Sequence, residues 1–197
     1  QRLAFRALDM VSAGEVRLAD VIAGQLGLLG LPDDLVSDRL AIEIAVEKDS
    51  LVANRPLADA LRRLRERGCR IVAVSDTTLP ATAVAELITH FHGPGLVDRV
   101  WSSADEGRTK RRGDLFDHVG AAEGVAPARI LHIGDDDTAD LAVPGAKGIA
   151  TYRVLRHRVA PRIARLGGGL TEAGRMMSRR LRVARSPARA ATDPAMF

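Results

Sequence analysis

Four aspartates, Asp135, Asp136, Asp137 and Asp140, fall within six positions directly after the apolar run Ile130-Leu131-His132-Ile133. Crowded carboxylates repel, and each disfavours the ionised form of its neighbours. A hard cation such as Mg²⁺ relieves that conflict: it prefers oxygen ligands, takes one or two carboxylates, and completes its shell with water and phosphate oxygens. The alternative is a surface turn in which Asp137 or Thr138 caps the next helix, and Asp136 and Asp137 could individually be no more than capping or solvated residues. Ser75 closes a second apolar run, Ile71-Val72-Ala73-Val74, where its hydroxyl could hydrogen-bond a phosphoryl oxygen or simply end a strand. Lys110, in Gly107-Arg108-Thr109-Lys110, could neutralise charge as phosphorus is attacked, although Arg108, Arg111 and Arg112 would serve equally on charge alone. His90, His92, His118 and His132 show no metal-ligand spacing; His132 reads as a packed core histidine and Cys69 as a small buried residue.

The elements that must position these groups follow from periodicity. Leu18, Val21, Ile22 and Leu26, then Val36, Leu40 and Ile44, recur at helical spacing, with a break over 27–32. Pro56 suits a first helical turn and Gly68 the position past its end, with Leu57, Leu61 and Leu64 on one face. Beyond that point strand and helix alternate. Strands are expected at 71–74, around Leu96, Val97, Val100 and Trp101, at 130–133 and at 149–154. The helices between them carry Val84, Leu87, Ile88 and Phe91 after Pro80, then Leu115, Phe116 and Val119 before Gly124, then the stretch 138–147. That order implies an α/β fold: a Rossmann-like parallel sheet, its strands covered by helices on both faces. Function gathers at the carboxyl ends of such strands, which is where Ser75-Asp76, Ser102-Ser103 and Gly134-Asp135 fall.

Composition bounds the rest. With 197 residues, 46% of them apolar, the chain can bury a core. One cysteine excludes a disulfide framework. No apolar run is long enough to span a membrane, no leader pattern opens the chain, and a cytoplasmic setting is expected. Only three lysines occur, Lys48, Lys110 and Lys147, and eleven arginines from Arg153 onward face only Glu172 and Asp193. A GC-rich genome produces the same bias toward arginine. The segment 155–197 is expected to be a basic, partly disordered tail. It raises nucleic acid or an anionic membrane as contacts. With only Tyr152 and Phe197 nearby there is no base-stacking platform, and nucleic acid is not an expected partner.

A strand ending in Ser75-Asp76, a loop lysine before a helix, and a strand ending Gly134-Asp135 with Asp140 downstream together resemble the haloacid dehalogenase (HAD) superfamily of hydrolases. The resemblance covers the second, third and fourth motifs: 71–76, the Lys110 loop with Gly113-Asp114-Leu115-Phe116 behind it, and 134–140 followed by Gly148-Ile149. It implies a remainder of a helical cap over 1–50 and a HAD-like α/β core over 51–154. It further implies phosphatase-type hydrolysis of a phosphorylated small molecule through an aspartyl-phosphate, with Mg²⁺ as cofactor. Ser75 and Lys110 would be catalytic, Ser75, Asp76 and Lys110 would contact substrate, Asp135 would hold the metal, and Asp140 would support the metal or the lysine. Ser75-Asp76 with Leu79-Pro80 resembles a branch associated with polysaccharide or glycosyltransferase-linked proteins.

The first motif, an apolar strand ending Asp-x-Asp, has no counterpart before Ser75. Leu8-Asp9-Met10-Val11 lacks the second aspartate, and Glu15 and Asp20 do not follow a strand. In that family the missing strand lies at the centre of the sheet, between the strands ending in Ser75 and Gly134, so its loss is expected to open a gap lined with unpaired backbone groups. Either another segment fills that gap or, as Gln1 in place of methionine favours, the chain is a fragment of a longer parent whose nucleophile strand and further domains lie elsewhere, and no phosphatase activity is expected of this chain alone. The alternative is a non-catalytic HAD-like binding or scaffold domain. A receiver-type phosphorylation domain shares the parallel sheet but fits the motif order worse.

Overall fold

The two apolar stripes at helical spacing become helices α1 (Leu18–Leu28) and α2 (Leu35–Ser50) in the computed structural model, which describes residues 16–154. Ile22 and Leu26 are buried with Leu35, and Leu18, Leu31, Val36 and Leu40 close around them. The expected break falls between the helices, where Gly30 takes a φ of +62°, a state that costs glycine little. The hairpin is tied to the rest of the molecule: the Leu18 amide donates to the Thr78 carbonyl at 2.9 Å, and Arg17 Nε to the Ala104 carbonyl at 3.0 Å.

Helix α3 (Arg55–Glu66) starts beneath Asn54, whose side chain accepts the Leu57 amide, with Pro56 in the first turn. It ends before Gly68, at φ +81°. Cys69 is exposed rather than buried, because it lies in the turn ahead of the strand. Strand β1 (Val72–Ser75) leads through helix α4 (Ala81–His92) to β2 (Arg99–Ser102), which pairs with it in parallel from Val72–Arg99 to Ser75–Ser102. A short helix α5 (Ser103–Glu106) and the Lys110 loop lead to helix α6 (Asp114–Glu123), closed by Gly124 in the left-handed region.

After a 3₁₀ turn (Pro127–Arg129), strand β3 (Leu131–Gly134) runs into a π-turn (Asp137–Ala142) and the short helix α7 (Val143–Ala146). Strand β4 (Ala150–Arg153) then pairs with β3 in parallel, from Leu131–Ala150 to Gly134–Arg153. The single helix expected over 138–147 is thus a wide π-turn followed by one α-helical turn. Asp136 opens it, accepting the amides of Thr138 at 2.9 Å and Ala139 at 2.7 Å.

The chain is α/β, with two parallel βαβ units. The parallel sheet is divided into β1–β2 and β3–β4, with no ladder joining the pairs among the described residues; the division falls between the strands ending in Ser75 and Gly134, where the resemblance places the missing first-motif strand. Strands expected to be covered on both faces are therefore only half-buried in β1, and β4 is exposed at every position. Helix α6 bridges the division. Its Leu115 and Val119 pack with Trp101, Val72 and Val74, while Phe116 meets the His132 ring edge-on at 4.9 Å. A largely apolar cleft of about 370 Å³ lies beside α6 at the amino ends of β3 and β4, lined by Phe116, Val125, Ile130 and Ile149. The polar residues singled out above lie at the opposite, carboxyl ends.

Candidate functional site

Ser75 is the last residue of β1, Gly134 the last of β3, and both are half-buried. Among the described residues nothing accepts from or donates to the Ser75 hydroxyl. Its neighbour Asp76 is differently placed. The Asp76 carboxylate accepts the backbone amide of Lys110 at 2.7 Å and that of Arg111 at 3.3 Å. Asp76, expected at the substrate, thus has its carboxylate on the Lys110 loop.

Lys110 reaches across to the other strand pair. Its ammonium lies 2.6 Å from Asp140 Oδ1, with the lysine side chain 13% exposed and the aspartate 4%. The same oxygen receives His132 Nε2 at 2.9 Å. Asp140 Oδ2 accepts the amides of Asp135 and Asp136, each at 3.0 Å. Burial acting alone would raise the Asp140 pKa. The Lys110 ammonium, the His132 ring and the Asp136 amide outweigh it and hold the carboxyl down at about 2. Burial is also the main force on His132, lowering its pKa against the opposing pull of Asp140. The neutral ring donates from Nε2 to the carboxylate.

Backbone geometry makes room for this pairing. A Cβ on Gly134 would fall inside the Asp140 carboxyl, so the strand end must be glycine for the π-turn to fold back onto it. The Lys110 loop is braced on its own side too. The Thr109 amide donates to Asp114 Oδ1 at 2.9 Å, and Gly113, at φ +84°, donates to the Lys110 carbonyl before α6 begins.

The remaining acidic residues of the cluster have separate partners. Asp136 caps the π-turn and pairs with Arg111 at 3.0 Å; Asp137, largely exposed, pairs with Arg153 at 2.9 Å. Of the residues left open to capping, Asp136, Asp137 and Thr138, it is Asp136 that caps.

Metal chemistry was expected at Asp135 and Asp140. Each Asp140 oxygen already receives two donors, so that residue does not fit a direct metal ligand, and its support goes to the lysine. No three His, Cys, Asp or Glu side chains converge to hold a metal ion among the described residues. Asp135 follows the strand end, and its backbone amide is one of the two donors to Asp140 Oδ2.

The structure therefore gathers Asp76, Lys110, Gly134, Asp135 and Asp140 through direct contacts, with Ser75 adjoining at the end of β1. Sequence reasoning missed the contact made by His132 and assigned no role to Ser102 and Ser103, which it singles out at a strand end. His132 is a packed ring, as expected, but also a partner of Asp140; nothing in a strand histidine eight positions before an aspartate announces that. Ser102 and Ser103, both fully buried, clamp the loop after β1. Ser103 Oγ accepts the Thr77 amide at 2.8 Å and donates to the Thr77 carbonyl at 3.1 Å, while Ser102 Oγ donates to the Leu79 carbonyl. Their position at a strand end was the available signal.

A family model of haloacid dehalogenase-like hydrolases matches residues 11–146. The chain belongs to the HAD-like hydrolase family. A solved HAD phosphatase from Thermococcus onnurineus is similar at 18% identity, over 68% of this chain and 74% of that one, with a TM-score of 0.43. No curated protein matches the chain. No helix among the described residues is long and apolar enough to cross a membrane.

Proposed function

We propose that the carboxyl ends of β1 and β3 form the phosphoryl-binding part of a phosphatase-type hydrolase acting on a phosphorylated small molecule. The observation that carries this reading is the mostly buried Lys110 ammonium, held on Asp140 between the ends of the two strand pairs. A cation fixed there lowers the energy of a phosphoryl group as its charge redistributes, without reorganising at the moment of reaction. Ser75 presents its hydroxyl to a phosphoryl oxygen, and Asp135 is the residue that would hold Mg²⁺. Bound Mg²⁺ would supply charge neutralisation at the phosphate. The α1–α2 hairpin is then the remainder of the helical cap.

A carboxylate nucleophile needs an Asp-x-Asp pair at a strand end. Among the described residues only Asp135 and Asp137 have that spacing; they already belong to the fourth motif of the resemblance, and Asp137 is paired with Arg153. The expectation is binding without turnover. Calorimetry with inorganic phosphate and Mg²⁺ should show binding that Ser75→Ala and Lys110→Ala each weaken by about tenfold or more, the scale of one hydrogen bond to a charged group. A phosphate-monoester panel should show no hydrolysis. Hydrolysis abolished by Lys110→Ala would make the chain an active enzyme; no phosphate binding would reject the reading.

A further inference from the structure

We infer that Asp76 is a positioning residue, which acts by fixing the backbone of Lys110 so that its ammonium is delivered to Asp140, and does not act as a contact of the substrate. The inference rests on the phosphoryl-binding reading for its importance, but its geometry stands apart from that reading.

Lys110 has a long, flexible side chain, and ordering it carries a large entropic cost. An ion pair with Asp140 places the ammonium in a defined spot only if the backbone beneath it is fixed as well. Two carboxylates fix that backbone. Asp114, from the helix that the loop enters, accepts the Thr109 amide at 2.9 Å, which braces the loop against its own continuation. Asp76, just past the end of β1, accepts the next two amides in succession, Lys110 at 2.7 Å and Arg111 at 3.3 Å. Bonds from amides to a carboxylate are stronger than those to a neutral acceptor. Of the two braces, only Asp76 joins the loop to the end of β1.

Asp76 is in turn held. The residue after it, Thr77, is gripped through both its amide and its carbonyl by the fully buried Ser103, and Ser102 holds Leu79. The result is a path of polar contacts from the end of β2, through the loop after β1, to Lys110, and from there to Asp140 and the end of β3. It crosses the division between the two strand pairs, where no ladder exists among the described residues. A carboxylate engaged by two amides of its own chain is poorly placed to meet a phosphate, which it would also repel.

The chain's three lysines make this testable by reductive methylation of the intact protein. Lys48 and Lys147 are each ion-paired and about a quarter exposed, at 28%, and serve as internal references; Lys110 is at 13%. In the wild type Lys110 should label the slowest. Asp76→Ala should raise its rate by about tenfold, the scale of losing a hydrogen bond to a charged group, with Lys48 and Lys147 unchanged. Asp76→Asn keeps one oxygen for the Lys110 amide and should recover most of the protection. Asp140→Asn sets the upper limit, and Ser75→Ala should change nothing. An unchanged Lys110 rate in Asp76→Ala overturns the inference, and so does a parallel rise at all three lysines, which would mean general loosening.

Inorganic phosphate then separates the roles. If Asp76 works through Lys110, adding Asp76→Ala to Lys110→Ala leaves phosphate affinity where Lys110→Ala put it. A further loss in the double variant overturns the inference in favour of direct contact. A wild type that binds no phosphate rejects the proposed function, while the lysine rates still decide the role of Asp76.

Discussion

Asp140 is the residue on which the site turns, because four donors converge on its two oxygens. Holding its carboxyl at about 2, against an ordinary 3.8, corresponds to about 2 kcal/mol of folding stability. The native state favours the charged form, so this contribution is complete above the ordinary value and is lost as pH falls from about 4 to about 2. Urea unfolding followed down that range should show the loss. Asp140→Asn should flatten the slope without abolishing it, since Asp98, Asp114 and Glu123 are also held low by their partners. The same variant should be less stable at neutral pH, because it leaves the Lys110 ammonium buried beside a neutral amide. An unaltered acid slope would mean that the four donors do not favour the carboxylate. Gly134→Ala is the steric counterpart. Its Cβ would occupy the space of the Asp140 carboxyl, so either the strand end or the π-turn must move. A loss above about 2 kcal/mol in urea unfolding is expected, together with faster methylation of Lys110. Most of the chemistry at this scale was legible as residue type at a strand end: Ser75, Lys110 and the acidic cluster. The division of labour within the cluster was not. Four neighbouring aspartates look alike in sequence, yet Asp136 caps, Asp137 pairs with Arg153, and Asp140 folds back to the lysine.

At the scale of elements, the loop after β1 is ordered by the strand beside it. Ser103→Ala removes both of its bonds to Thr77 and leaves a backbone amide and carbonyl without that partner. Stranding buried polar groups costs about 1–3 kcal/mol, so a loss of that size in chemical denaturation is expected, with the Thr77 amide exchanging faster by hydrogen–deuterium exchange. Stability within about 0.5 kcal/mol of wild type, the range of an ordinary surface change, would show that the clamp is idle. Helix existence was readable here. Pro56, Gly68, Pro80 and Gly124 mark helix ends because each suits a backbone state that the adjoining turn needs. The π-turn was not readable. Its apolar spacing over 138–147 suits an ordinary helix, and the widening comes from the return of Asp140 to Gly134, a contact between elements.

For the molecule as a whole, helix α6 and the polar path through Lys110 join two parallel strand pairs that share no ladder among the described residues. The two faces of α6 can be separated experimentally. Leu115 is fully buried against the β1–β2 side, and Leu115→Ala should cost about 2–5 kcal/mol. Under native conditions that variant should lower the exchange protection of β1 and β2 amides first. Phe116→Ala, which removes the ring packed on His132, should act first on β3 and β4. Equal loss in both pairs from either substitution would make the α/β unit a single cooperative block.

The order of elements, the α/β class and the carboxyl-end location of the polar residues were present in the linear chain. Hydrophobic period, prolines, glycines and strand-end hydroxyls act over a few residues and leave a local trace. Tertiary structure alone decided which acid answers to which base. Lys110 and Asp140 lie thirty positions apart, and Asp76 and Lys110 thirty-four. Such pairings depend on distances set by packing, and no local period encodes them. Burial decided the rest: it makes the Lys110–Asp140 contact strong by excluding water, and it gives Ser103, an ordinary serine in sequence, two backbone groups to hold.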